Sequence, residues 1–395
     1  MTRNVYLDYA ATTPVDPRVF DAMSPFLKDQ YGNPSSLHSV GREAARALDD
    51  ARESIAAEVG AAEPSEIIFT AGGTEADNTA VLGIAKAVRR DTGRSHLVVS
   101  AFEHNGVLTP AERLAKEGFE LTLVKPGADG IVSAEALRGA IRDDTALVSV
   151  MHVNNELGTI QPLFELAQIT HENEALFHTD AVQSMGKIDF DAVGLEVDAA
   201  SFSAHKIYGP KGTGALYLKR STPIQPLLIG GGQESKKRGG TENVAGIVGM
   251  AEALKIMIAE RPAEEPRLKA MRDKIIDGIL DTIENTVLNG DRDFLVPHVA
   301  NFIIKGVEGE SMLLQLDHKG IMVSTGSACS SSSLEPSHVL LAIGCPPELA
   351  HGSLRVSIGR FVTDEDIEYF LTEFPPIVHR LREMSPTYEK MYANT

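Results

Sequence analysis

Cysteine is scarce in this chain. Only Cys329 and Cys345 occur among 395 residues, with no C-x-x-C spacing. That excludes a secreted disulfide scaffold and points to a reducing compartment, with a single Cys329–Cys345 bridge as the alternative to two free thiols. Excess positive charge is also missing: 37 Lys+Arg against 55 Asp+Glu give a formal net charge of -18, which makes nucleic acid a poor partner. Long apolar runs are absent too. The first residues, Met1 to Asp8, contain no signal-like core, and the most apolar helical stretch, Val244 to Met257, is interrupted by Glu252 and Lys255. A soluble, cytoplasmic protein without membrane contact is therefore expected. The glycine-rich turns Ala71-Gly72-Gly73-Thr74 and Gly209-Pro210-Lys211-Gly212-Thr213-Gly214 match neither the ATP-loop nor the dinucleotide fingerprint. There is no internal repeat, and the only low-complexity patch is Ser330 to Ser333.

What the chain does contain is 43% hydrophobic residues, enough for a large core divided over two or three domains. Strand-like runs at 67–70, 97–100, 121–124, 147–151, 176–179, 199–202 and 215–218 alternate with helical patterns. This alternation predicts an α/β fold: a large domain with a mostly parallel seven-stranded sheet flanked by helices. One such helix is read from Ala44, Leu48, Ala51, Ile55 and Val59, whose spacing makes a single face for the sheet, with Gly60 as its stop. A charged, proline-marked stretch, Arg261-Pro262-Ala263-Glu264-Glu265-Pro266, marks a boundary before a new amphipathic helix through Leu268, Met271, Ile275, Ile276 and Leu280. The expected division is 15–260 for the large domain. Residues 1–14 and 261–395 form a smaller α+β domain carrying a cysteine loop at about 324–335. In the smaller domain, strands are expected at 299–304 and 354–358, and helices at 310–318 and 338–343. A closing helix follows, opened by Thr363-Asp364-Glu365-Asp366, a capping box weakened by Asp in place of Glu.

The chemistry centres on Lys206, in Ser203-Ala204-His205-Lys206-Ile207-Tyr208-Gly209 after a strand-like run, and on Asp180, which ends another. An amine able to form a Schiff base, together with a carboxylate able to keep a pyridine nitrogen protonated, is what pyridoxal 5'-phosphate requires. The turn Gly72-Gly73-Thr74 enters a helix whose free amides suit a phosphate, although a plain tight turn reads the same way. His104, Asn155 and Gln183 each follow a predicted strand, so their loops are expected to converge on one crevice. Arg355, on a short strand, can grip a substrate carboxylate with two hydrogen bonds; an inter-domain salt bridge is the alternative. The run Lys236-Lys237-Arg238 reads as a solvated loop. Cys329 sits among glycine and serine, side chains that bury little, so its arm is expected to be mobile.

These residues resemble the cysteine desulfurases of the NifS/IscS type, within the fold-type I, class V aminotransferase-like pyridoxal phosphate enzymes. The resemblance spans the chain, from Tyr6-Leu7-Asp8-Tyr9-Ala10-Ala11-Thr12-Thr13-Pro14 and Tyr31-Gly32-Asn33-Pro34 through the lysine motif to Gly326-Ser327-Ala328-Cys329 and Leu334-Glu335-Pro336-Ser337-His338. The serine-rich cysteine segment is similar to that of the extended-loop group. The resemblance implies Lys206 as the Schiff-base lysine, Asp180 on the pyridinium nitrogen, His104 stacked on the ring and Gln183 near the phenolic oxygen. It implies Gly73, Thr74, Ser203 and His205 around the phosphate, with Gly73 standing where many relatives have alanine. Thr241 would reach the phosphate of a neighbouring subunit's cofactor, which implies a homodimer. Asn155 and Arg355 match the positions that bind the substrate carboxylate. The implied reaction converts L-cysteine to L-alanine, with sulfur passing to Cys329 as a persulfide and then to an acceptor such as an iron-sulfur cluster scaffold. No metal site is implied. A selenocysteine lyase or another class V aminotransferase-like enzyme is the alternative, as is an assembly module with a vestigial cofactor site.

Overall fold

The computed structural model describes residues 3–325 and 335–385. Seven short runs rich in β-branched and aromatic residues form one sheet: β1 (Ile67–Thr70), β2 (His96–Ser100), β3 (Glu120–Val124), β4 (Thr145–Ser149), β5 (Leu176–Asp180), β6 (Ala199–Ser203) and β7 (Gly214–Leu218). Their spatial order is β1-β7-β6-β5-β4-β2-β3. All neighbours pair in parallel except β7, which runs antiparallel to both β6 and β1. The expected mostly parallel seven-stranded sheet is thus present. The strand expected to reach Met151 ends at Ser149, and 150–152 continue toward the cavity while His152 N–H still bonds Asp180 O at 2.9 Å.

Alternation along the strands divides the core. Ile68, Leu97, Val99, Leu147 and Leu216 face α2 (Gly73–Thr92), whose buried side contains Ala76, Ala80 and Ile84. Ile67, Phe69, Val98, Val148, Phe177 and Phe202 face the opposite way, into the larger core. The helix with the Ala44 face is α1 (Ser39–Glu58), followed by Gly60 at φ +67°. It packs chiefly on a long helix introduced below and only at its edge on β1, because that helix stands between it and most of the sheet. His104 N-caps α3 (Asn105–Lys116).

The proline-marked stretch does not break the chain. One helix, α4, runs from Val244 to Thr282 through both Pro262 and Pro266. A proline inside a helix costs about 3 kcal/mol, and two anchors outweigh it. Ile247, Met250, Leu254 and Met257 are buried in the core on one side, and Met271, Ile275, Ile276 and Ile279 on the other. Between them Arg360 binds Glu260 at 2.8 Å and Glu264 at 3.1 Å on α4, and also Asp16 at 2.7 Å. Beyond α4 lies a three-stranded antiparallel sheet of Thr286–Leu288, β8 (Val299–Ile304) and β9 (Ser353–Ser357). The helices Gly309–His318, His338–Ala342 and Asp364–Glu383 stand where the spacing places them. Asp366 completes the capping box with Thr363 in both directions, so the shorter carboxylate reaches as well as Glu would.

The basic run is only partly solvated: Lys236 is exposed and Lys237 and Arg238 are half-buried, and Glu234, two residues before the run, is tied down. Glu234 is buried at φ +45°, with Ser235 and Lys236 also at positive φ, a backbone region costly for non-glycine residues. Its carboxylate accepts two 2.8 Å bonds from Arg52 and one from Phe69 N at 2.9 Å. Arg238 pairs with Glu75 at 2.8 Å. Replacing Glu234 with alanine leaves the Arg52 guanidinium and the Phe69 N–H unpaired under the loop. Urea unfolding of Glu234→Ala is expected to show a loss of about 3 kcal/mol, whereas the exposed pair Arg138–Glu172, removed by Arg138→Ala, changes stability by less than about 1 kcal/mol.

Candidate active site

The parallel strands deliver their C-terminal ends to one side of the sheet, where open α/β folds place ligands. A cavity of about 440 Å3 opens there, within the range of small-molecule sites. Gly73 and Thr74 reach it after β1, His104 after β2, Asn155 after β4, Gln183 after β5, and His205 and Lys206 after β6. Asp180 and Ser203 line it from the strand ends, and Arg355 enters from β9. Ten of the expected site residues therefore meet. Thr241 does not: it is exposed in the segment before α4 and does not line the cavity. Cys329 lies outside the described residues.

Lys206 Nζ donates to Ala10 O at 2.6 Å and to Ala11 O at 2.8 Å, so the N-terminal segment forms the wall opposite the lysine. Gln183 Nε2 also donates to Ala10 O, at 2.9 Å. Asp180 Oδ1 accepts from Val182 N at 2.9 Å. His104 Nδ1 accepts from Gly106 N at 2.9 Å, which leaves Nε2 as the proton-bearing nitrogen of the neutral ring. Two residues after the cap a side chain is crowded, since a methyl at Gly106 would lie 2.6 Å from Asp77 Oδ2. Arg355 donates to Asn155 O at 2.9 Å and pairs with Asp8 at 2.7 Å. The salt bridge and the cavity position thus belong to the same side chain.

Three observations fit pyridoxal phosphate to these residues. Ser203 Oγ is buried with no hydrogen-bond partner among the described residues, beside the open N-terminus of α2. A second concavity, of about 590 Å3, joins that N-terminus to Ser203, His205 and Thr12, giving an anion uncommitted hydroxyl and backbone donors. At the other end, the Asn155 Oδ1 and Arg355 Nε atoms are likewise buried and unpartnered among the described residues.

The sequence reading missed Asp77, one turn after Gly73 on the buried side of α2 and lining the same cavity. An acidic residue amid Ala76, Thr79 and Ala80 was the available signal. Burial pushes its carboxyl well above the carboxylate range, and the neighbouring Asp180 and Glu103 push the same way, against a hydrogen bond from Ser201. Asp180 is raised by burial but opposed by His104, the Val182 N–H and Lys206. It is the acid of the three with cations beside it. Glu103, under His104, is pushed up to about 8 by burial, while Ser100 and Met151 N–H pull the other way. A raised carboxyl binds its proton longer in the folded state, so its contribution is lost as pH rises from about 4.3 toward 8. Glu103→Gln keeps the uncharged shape. Urea unfolding at pH 5 and pH 8 is expected to show the variant gaining about 3 kcal/mol on the wild-type protein over that interval; a constant difference would contradict a protonated Glu103.

The Aminotransferase class-V family model matches residues 5–370. A cysteine desulfurase IscS of Dictyoglomus turgidum is 50% identical over 394 residues, covering 100% of this chain and 99% of the relative. One from Methanosarcina thermophila is 48% identical over 388 residues, covering 98% and 95%. Among solved structures, a NifS-like protein superposes with a TM-score of 0.89 at 36% identity, covering 96% of this chain and 100% of that one. SspA in complex with cysteine superposes with a TM-score of 0.79, also at 36% identity, covering 90% and 99%. The chain belongs to the class-V aminotransferase family, among its relatives of the cysteine desulfurase IscS type.

Proposed function

We propose that this protein is a pyridoxal 5'-phosphate-dependent cysteine desulfurase that converts L-cysteine to L-alanine and passes the sulfur to Cys329. The observation that carries the reading is the meeting of Lys206, Asp180 and His104 in one cavity with Asn155, which follows β4, and Arg355, which enters from β9. The full-length similarity to cysteine desulfurases supports it.

When bound, the cofactor supplies an electron sink for the bonds of the substrate's α-carbon. Lys206 provides the amine that holds it and then moves the α-proton through Nζ, released from the Ala10 and Ala11 carbonyls. Asp180 keeps the ring nitrogen protonated. The α2 amides at Gly73 and Thr74, the Ser203 hydroxyl and His205 hold the phosphate; burial and the neighbouring Lys206 and Lys211 push the His205 imidazole down to about 4, so it is neutral at pH 7. Arg355 and Asn155 orient the substrate carboxylate. His104, with Nδ1 committed to Gly106, offers Nε2 for proton transfer near the leaving sulfur. The Cys329 thiolate attacks that sulfur: the S–S bond forms, the C–S bond breaks with its electron pair left on the carbon, and that carbon takes up a proton. The acceptor of the sulfur is a further protein, of the iron-sulfur scaffold kind.

The exposed position of Thr241 supports a homodimer in which it completes the phosphate site of the partner. Among the described residues no helix is long and apolar enough to cross a membrane, and a cytoplasmic setting follows from the two-cysteine composition.

Incubation with L-cysteine and a reductant is expected to yield alanine and sulfide in equal amounts, with Lys206→Ala and Cys329→Ser both inactive. Alanine formation that persists in Cys329→Ser would sink the sulfur-relay step. Arg355→Ala removes a charge-assisted carboxylate contact of about 1.5 to 3 kcal/mol, so KM for L-cysteine should rise roughly ten- to a hundredfold. A change in thermal stability with an unaltered KM favours a purely structural Asp8 pair.

A further inference from the structure

Lys187 lies one helical turn after Gln183 in the segment following β5, and none of the roles above uses it. It sits deep in the protein and borders a second cavity of about 30 Å3 behind Lys206, shared with His298 and Glu264. Among the described residues it forms no ion pair, and the cations Lys206 and Arg355 act on it. Burial and these two cations push its amine down to about 7. A lysine kept there without a carboxylate is costly, which calls for a reason other than stability. Its Nζ donates to Gln183 Oε1 at 3.0 Å.

That single bond has a directional consequence. In its charged form the amine can only donate, and the amide does turn its oxygen toward Lys187 and its nitrogen the other way. The nitrogen side is the cavity side, where Nε2 meets Ala10 O, itself a cavity-lining residue. The amide nitrogen carries two hydrogens, and Ala10 O takes one. We propose that Lys187 is a positioning residue for the cofactor: it holds the Gln183 carbonyl from behind, so that the amide presents an N–H donor to the ring oxygen of bound pyridoxal phosphate. The inference rests on the functional reading given above.

The test compares holoenzyme carrying Lys187→Met, Gln183→Ala, the double substitution and Gln183→Glu. The readouts are the absorbance maximum of the bound cofactor, its rate of loss on dilution, and thermal unfolding. Lys187→Met and Gln183→Ala are each expected to shift the absorbance maximum and to speed cofactor loss about fivefold, the scale of one hydrogen bond. The double variant should be no worse than Gln183→Ala alone, because the lysine acts only through the amide. Gln183→Glu keeps an acceptor for Lys187 but has no N–H to present to the ring oxygen or to Ala10 O, so it should shift the spectrum. That arm decides the matter even if Lys187→Met folds poorly. A wild-type spectrum in Lys187→Met or Gln183→Glu, or additive effects in the double variant, overturns the assignment alone. A wild-type protein that shows no bound-cofactor absorbance overturns the functional reading and the assignment together.

Discussion

Two backbone carbonyls, those of Ala10 and Ala11, hold the Lys206 amine, and much of the molecule serves to keep them in place. The segment that carries them cannot do so alone. Val5–Tyr6 pairs in parallel with Ile321–Met322, Leu7 O accepts from Ser357 N, and Tyr9 N donates to Ser357 O. Past the carbonyls, Thr13 N bonds His205 O and Asp16 N bonds Tyr208 O. The chain is thus fastened to the smaller sheet on one side of Ala10 and to the lysine turn on the other. Arg360 fixes the far end, joining Asp16 to the two glutamates of α4 while stacking on Tyr208, 4.7 Å from the ring centroid.

Burial of acids is the second constraint. Asp77, Glu103 and Asp180 lie close together at the ends of β1, β2 and β5, and three carboxylates cannot all ionise in such a setting. Lys206 and His104 lie beside Asp180 and, with the Val182 N–H, oppose the rise that burial imposes on its carboxyl. Burial pushes the carboxyls of Asp77, which lines the cavity, and Glu103, which lies under His104, above the ordinary carboxylate range. Lys187 lies behind Gln183, away from any of these acids. Electrostatic character in this cavity comes less from the groups that touch a ligand than from what lies one layer deeper.

Much of this was legible in the sequence because it is local. Short strand-like runs alternating with helical patterns marked all seven strands to within two residues. Some site residues were legible because each follows a strand in the chain, and strand ends in a parallel sheet share one edge. His104, Gln183 and Asn155 were picked out for that reason, Lys206 and Asp180 as an amine and a carboxylate that suit pyridoxal phosphate, Arg355 as a guanidinium on a separate short strand, and the Thr363 capping box because it spans only four residues. Composition alone already excluded a disulfide scaffold and a polyanion-binding surface.

What only the tertiary structure decided depends on distances the chain closes over long separations. The two prolines in α4 read as a boundary, since local preference ends a helix there; packing at both ends and Arg360, nearly a hundred residues away in sequence, carry the helix through. Glu234 looked like the edge of a solvated loop until Arg52 and Phe69, more than 160 residues upstream, met its carboxylate. Asp77 read as one polar residue on an apolar helix face, because nothing near it in sequence says that Asp180 and Ser201 lie opposite. Periodicity specifies which face of an element is buried, whereas the partner that a buried charge finds is set by the packing of the whole chain.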